Sequence, residues 1–207
     1  MEFIEENSGN YDFKTQIQIL GSLNIGKTNL NERIKCYHNY PKYNASQANI
    51  KRTIAYDFET FTVKINNKII KVLFWDSVGY EKGKQLFGGW IKGNCDAYLI
   101  SYDAFNRNSF NNGIKIYEEL KFMSKKPIII LVRNKYDLEI NKKSKINDFV
   151  SDEETLEFAD KNNIKFAHVS SIDKYGNGIK ELLTLVLNQI LKEETKFNSN
   201  FKYIDYS

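Results

Sequence analysis

The sequence predicts an α/β domain built on a mainly parallel sheet, and three observations carry that expectation. Short apolar runs alternate with helix-periodic stretches along most of the chain, and a Gly-x-x-x-x-Gly-Lys-Thr turn joins the first such run to the first helical stretch. Each polar motif able to hold a ligand also falls at the carboxyl end of a strand. Such alternation puts helices on both faces of a parallel sheet, whose ligands sit beyond the carboxyl ends of its strands. With 207 residues and 42% hydrophobic composition the chain can bury one substantial core. One domain over residues 14–192 is expected, between an N-terminal extension, residues 1–13, and a C-terminal tail, residues 193–207.

Residues 15–20 alternate polar and apolar, as a half-buried strand should, and residues 28–35 lack Gly and Pro and read as a helix. Residues 36–52 contain several tyrosines but no sustained period, so a long exposed loop is expected, and loops of that length usually have a function. Residues 56–65 form a strand, Asn66-Asn67 a tight turn because asparagine tolerates positive φ, and residues 68–75 the antiparallel return. Residues 97–102, 128–132 and 165–169 are short apolar strands, while residues 109–123, 151–162 and 179–192 are helical by period. Ser151 with Glu154 reads as a capping box, and Ile179, Leu182, Leu183, Val186 and Ile190 form an apolar stripe that core packing explains. Residues 195–207 read as a loosely ordered tail.

The net charge of +4 arises from 30 basic and 26 acidic residues scattered along the chain, a pattern of solvated surface that argues against a nucleic-acid partner. Cys36 and Cys95 are the only cysteines, so a disulfide framework is not expected and a reducing compartment fits. The longest apolar runs are too short to span a bilayer and the acidic N-terminus lacks a signal-peptide pattern, which leads to the expectation of a cytoplasmic protein.

The glycine-rich turn is Gly21-Ser22-Leu23-Asn24-Ile25-Gly26-Lys27-Thr28. Backbone N–H groups there converge on a di- or triphosphate, Lys27 brings charge to the outer phosphates, and the Thr28 hydroxyl suits Mg²⁺. The expected nucleotide contacts are Gly21, Leu23, Asn24, Ile25, Gly26, Lys27, Thr28 and Asn29, at a helix N-terminus whose dipole favours anions. Asp76 ends a strand and begins Asp76-Ser77-Val78-Gly79. Its carboxylate can hold Mg²⁺ directly or through water, and Gly79 can offer its N–H to the terminal phosphate. Asp-x-x-Gly alone is a weak signal, but it is strong about fifty residues after a phosphate loop. Thr53, just before the second strand, could bring a hydroxyl to the metal and an N–H to the outer phosphate, making the preceding loop a switch that the γ-phosphate orders. Asn134-Lys135-Tyr136-Asp137 follows a buried strand. A carboxylate at Asp137 accepts two hydrogen bonds from the N1–H and 2-amino edge of guanine, which adenine does not present, so the ligand is read as GTP/GDP. Lys135 can lay its stem along the base, and Ser170, Ser171 and Ile172 could bring a backbone N–H to the guanine carbonyl.

With these motifs in order from about residue 14 to residue 192, the chain resembles the small GTPases of the Ras superfamily, most closely the Rab branch. Thr53-Ile54-Ala55-Tyr56-Asp57-Phe58 is similar to the Rab effector segment and Trp75-Asp76-Ser77-Val78-Gly79 to its second-switch entry. Trp90-Ile91-Lys92-Gly93, Tyr102-Asp103 and Ser109-Phe110 are similar to the segments that follow. The resemblance implies a P-loop small-GTPase G domain with a six-stranded, mostly parallel sheet flanked by five helices. It also implies a Mg²⁺-dependent GTP/GDP cycle, with Thr28, Thr53 and Asp76 at the metal and Lys27, Thr53, Gly79 and the position of Tyr80 at the catalytic centre. Exchange factors, GTPase-activating proteins and effectors in vesicle traffic would read the switch regions of a monomer.

Several departures modify that expectation. Tyr80 stands where the family has a water-orienting glutamine, Leu23 where a small residue is usual, and Asn24 where glycine is common. A phenol lacks the amide's separate donor and acceptor, and a bulky Leu23 could obstruct an arginine finger, so slow hydrolysis is expected. The loop of residues 35–52 is longer than usual, and Tyr37, Tyr40 and Tyr43 all remain candidates for an aromatic edge against the guanine. Ile172 replaces the usual closing lysine of the last base motif, leaving backbone contact. No cysteine follows Cys95, so no direct lipid anchor is expected and membrane attachment would run through a partner. The rival reading is a GTP-retaining binding module with little turnover, and an adenine-using P-loop enzyme is disfavoured by Asp137.

Overall fold

The computed structural model describes residues 1–4, 10–35, 56–86, 91, 93–123, 125–137, 149–172 and 178–201. Its strands are β1 (Glu2–Ile4), β2 (Phe13–Gly21), β3 (Tyr56–Ile65), β4 (Lys68–Ser77), β5 (Ala97–Asp103), β6 (Ile128–Asn134) and β7 (Lys165–His168). They form one sheet in the order β1-β3-β4-β2-β5-β6-β7, in which only the β1–β3 and β3–β4 pairings are antiparallel. The helices are α1 (Lys27–Lys35), α2 (Tyr80–Leu86), α3 (Arg107–Leu120), α4 (Asp152–Lys161) and α5 (Ile179–Phe201). Among the described residues there are five helices, the number expected.

Among the described residues the sheet has seven strands where the resemblance implies six. The additional one, β1, pairs Phe3 with Val63 on the open edge of β3, and its Phe3 ring lies 5.5 Å from that of Phe61. A bare edge of unpaired backbone groups is thereby covered over part of its length, with Met1 and Phe3 packed on the core. The β3–β4 turn falls at Asn66-Asn67, as expected, with φ of 50° and 60°. The α5 backbone runs past residue 192 to Phe201, into the stretch expected to be loosely ordered.

Period-2 alternation splits the core between two faces of the sheet. Ile17, Ile19, Leu99 and Val132 face Leu30 and Ile34 of α1 and Leu182, Val186 and Ile190 of α5. Leu20, Tyr98, Ile100 and Leu131 face Phe110, Ile116 and Leu120 of α3. β5 is buried throughout its length. The carboxyl ends of β2, β4, β5 and β6 thus lie side by side on one rim, and the motifs leave from that rim.

Candidate functional site

Gly21 ends β2 with φ +145°, and a Cβ on it would lie 2.2 Å from the Ser101 carbonyl oxygen, so only glycine fits against β5. The chain then turns through Asn24 (φ 61°) and Gly26 (φ 92°), and a Cβ on Gly26 would come 2.7 Å from Asn134 Nδ2. Lys27 opens α1, whose first turn holds no acidic residue, which leaves the positive end of the helix free for an anion. Lys27 is 6% exposed, and its ammonium donates to the Ser22 carbonyl at 2.7 Å. Burial pushes its pKa down to about 8, against the opposing pull of Asp76 and Glu81.

Thr28 Oγ1 donates to Asp76 Oδ2 at 2.7 Å, and Asp76 is wholly buried at the end of β4. Neighbouring ligands of an octahedral Mg²⁺ stand about 2.9 Å apart, given metal–oxygen bonds of about 2.0–2.1 Å. Two hard oxygens at this separation therefore fit the ion. Among the described residues no group of three or more His, Cys, Asp or Glu could hold a metal. The Thr28–Asp76 pair accordingly suits an ion completed by water and phosphate oxygens, the usual habit of Mg²⁺. Thr53, the third expected ligand, lies outside the described residues, as do Tyr37, Tyr40 and Tyr43.

The expected base-reading residues converge on the phosphate loop. Asn134 Nδ2 donates to the Ile25 carbonyl at 2.8 Å, while its Oδ1 accepts from the Lys135 N–H at 2.8 Å and from Ser171 Oγ at 3.2 Å. Lys135 adopts φ 61° and pairs through Nζ with Asp103 Oδ2 at 2.8 Å. Ser170 Oγ donates to Asp137 Oδ1 at 2.6 Å, and the Tyr136 N–H donates to the Val169 carbonyl. Backbone contacts were expected from Ser170 and Ser171, but their hydroxyls also orient Asp137 and Asn134. Two serines at a strand end were the available signal. Ile172 is 48% exposed.

On the phosphate side, Leu23 covers Gly79, since a Cβ there would come 2.5 Å from Leu23 Cγ. Tyr80 is 7% exposed and belongs to the buried cluster containing Leu20, Tyr98 and Ile100. Two residues missed by sequence reasoning, Glu81 and Asn112, brace the loop. Glu81 Oε2 accepts the Leu23 N–H at 2.9 Å, and Asn112 Nδ2 donates both to Glu81 Oε1 at 3.1 Å and to Ser22 Oγ at 3.0 Å. Burial raises the pKa of Glu81, but the amides of Glu81 and Leu23, the Ser22 hydroxyl and the Lys27 charge outweigh it and hold the carboxyl below its usual range. No local pattern announces a contact between residues so far apart in sequence.

A phosphate loop between β2 and α1, a buried carboxylate at the end of β4 bonded to Thr28, and an Asn-Lys-x-Asp loop bonded to the phosphate loop define a P-loop nucleotide-binding G domain. The Ras family model matches residues 16–192. Ras-related protein Rab-11B of Dictyostelium discoideum is 32% identical over 200 residues, which is 95% of this chain and 76% of the relative. GTP-binding protein ypt3 of Schizosaccharomyces pombe is 31% identical over 185 residues, 88% and 78% of the two chains. Ras-related protein RABA3 of Arabidopsis thaliana is 29% identical over 180 residues, 86% and 70% of the two chains. The chain belongs to the Ras family of GTP hydrolases, as a divergent Rab-like small GTPase.

Proposed function

We propose that this protein is a Mg²⁺-dependent GTP/GDP switch in membrane traffic whose intrinsic hydrolysis is slow. The observation that carries the reading is the Asn134–Ile25 hydrogen bond, which supports a single site with the phosphate loop at one end and the guanine-reading loop at the other. Asp137, oriented by Ser170, selects the guanine edge and penalises a base that leaves the carboxylate unpaired. Lys27 and the loop amides hold the phosphates, with Thr28, Asp76 and Thr53 at the metal. Mg²⁺, when bound, neutralises charge on the outer phosphates. Exchange factors, activators and effectors read the switch regions of a monomer. No described helix is long and apolar enough to cross a membrane.

The test is calorimetry on nucleotide-stripped protein. GDP is expected to bind far more tightly than ADP, and Asp137→Ala to cost at least about a hundredfold in GDP affinity and to remove the preference. Equal affinity for the two nucleotides in the unaltered protein would overturn the reading.

Slow turnover is supported by Tyr80, whose buried phenol is not presented to an attacking water, and by Leu23 over Gly79, which narrows the approach of an arginine from a partner. A GTP-retaining module with little turnover remains the second reading on the same observation. Single-turnover hydrolysis by Tyr80→Gln is expected to run at least about tenfold faster than by the unaltered protein. No acceleration would remove Tyr80 as the cause.

A further inference from the structure

Arg133 is the last residue of β6 before Asn134, and its guanidinium is 1% exposed on the sheet face that carries Tyr102, its register partner on β5. It ion-pairs through Nη1 with Asp152, the first residue of α4, and stacks 5.1 Å from the centroid of the Phe149 ring. A second arginine grips the same short segment from α3. Arg107 makes a two-pronged bond to Glu154 at 2.7 and 2.9 Å and donates to the Phe149 carbonyl at 2.7 Å. Two arginines from different elements therefore fasten residues 149–154, the described segment that follows Asp137 in sequence.

We propose that Arg133 is a positioning residue for guanosine-nucleotide retention, anchoring through Asp152 and Phe149 the strand end from which Asn134, Lys135 and Asp137 project. The inference rests on the guanine-nucleotide reading above and deepens it. Asn134 is the hub of that site, bonded to Ile25, to Ser171 and to its own neighbour Lys135. The backbone of Arg133 takes part as well, because its carbonyl accepts the Val169 N–H at 2.8 Å and so sets the β7 exit where Ser170 and Ser171 lie. On the opposite side of the strand from the nucleotide, the guanidinium resists rotation of that strand end because rotation would separate a buried charge from its partner. Breaking such a pair is costly when it leaves a charge buried, but the charge that an apolar side chain at 133 would leave is the partly exposed carboxylate of Asp152, which water can solvate, so folding should lose little. The functional role and the folding role can thus be separated by the choice of substitution.

The experiment measures release of a fluorescent GDP analogue, melting temperature and single-turnover hydrolysis for Arg133→Met, Arg133→Lys and Asp152→Asn. Arg133→Met is expected to melt within a few degrees of the unaltered protein yet release GDP about tenfold faster, with the hydrolysis rate of bound GTP unchanged. Arg133→Lys should recover part of the retention. Asp152→Asn should reproduce the faster release, and combining it with Arg133→Met should add little more. Asp152 is partly exposed, so its variant carries the test if Arg133→Met does not fold. The proposal is overturned if release is unchanged in both Arg133→Met and Asp152→Asn. It is also overturned if release rises only as much as in Ile116→Val, a conservative core variant of α3 whose apolar side chain bonds to neither Asp152 nor Asn134. Failure of the unaltered protein to retain GDP would instead count against the guanine-nucleotide reading.

Discussion

Lys27 sets the pH behaviour of the unliganded site. Its charged form is penalised by burial, so its pKa falls from 10.5 to about 8. A base whose folded pKa lies below its unfolded value binds fewer protons in the folded state between those two values. For this group, stability therefore rises with pH from about 8 to about 10.5, and the cost of burying the ammonium is fully present below about 8. A phosphate at the loop reverses the balance, since an anion beside Nζ favours the protonated amine. Nucleotide binding above pH 8 should thus take up a proton, and GDP affinity should fall by up to tenfold per pH unit as the solution passes from pH 8 towards pH 9.5. Calorimetry in buffers of different ionisation enthalpy measures the uptake directly. A proton count of zero throughout that range would show that Lys27 remains charged in the empty site.

At the scale of elements, α4 shows what a sequence pattern can and cannot announce. Ser151 and Glu154 have capping-box spacing, and Ser151 Oγ does accept the Glu154 N–H at 3.2 Å. The reciprocal half is displaced because the Glu154 carboxylate meets the guanidinium of Arg107 in a two-pronged bond, stronger than a reach back to one amide. Arg107 is remote in sequence, so no local pattern could have foretold the competition. The same division holds elsewhere. The β3–β4 hairpin was legible because alternation and the Asn66-Asn67 turn are local signals, and the ends of β3 fall where expected. β1 was not, since three residues carry no period and their partner lies about sixty residues away. The extension of α5 was missed for a different reason. Its apolar stripe ends near Ile190, but Glu193, Glu194 and Lys196 are good helix formers with no Gly or Pro to stop them, so propensity continues what packing began. In the site, Gly21, Gly26, Lys27, Thr28, Asp76, Asn134 and Asp137 were legible because each belongs to a motif of fixed spacing. Glu81, Asn112 and the arginines at 107 and 133 act through tertiary contacts alone.

Across the whole molecule, the site is a seam joining parts of the chain that are far apart in sequence. Thr28 reaches Asp76, Leu23 reaches Glu81, Ser22 reaches Asn112, Ile25 reaches Asn134, and Asn134 reaches Ser171. These bonds place the phosphate loop at the meeting point of β2, β4, β5 and β6, so a ligand there touches elements from both halves of the chain. A ligand that binds only the folded state stabilises it by about 4 kcal/mol when its free concentration is a thousand times its Kd. For a domain of this size each kcal/mol raises the melting temperature by about 2–4 °C, so GDP with Mg²⁺ should raise it by roughly 8–16 °C. Chelating the metal should reduce the rise, because the phosphates would then lack the cation that Thr28 and Asp76 are proposed to hold. Asn134→Ala should melt lower without ligand and should also lose most of the rise, since that side chain links the phosphate loop to the loop proposed to read the base. ADP with Mg²⁺ at the same concentration should leave the melting temperature nearly unchanged. A rise as large with ADP as with GDP would mean that the phosphate loop alone accounts for binding, and that the seam between the two loops contributes nothing to nucleotide choice.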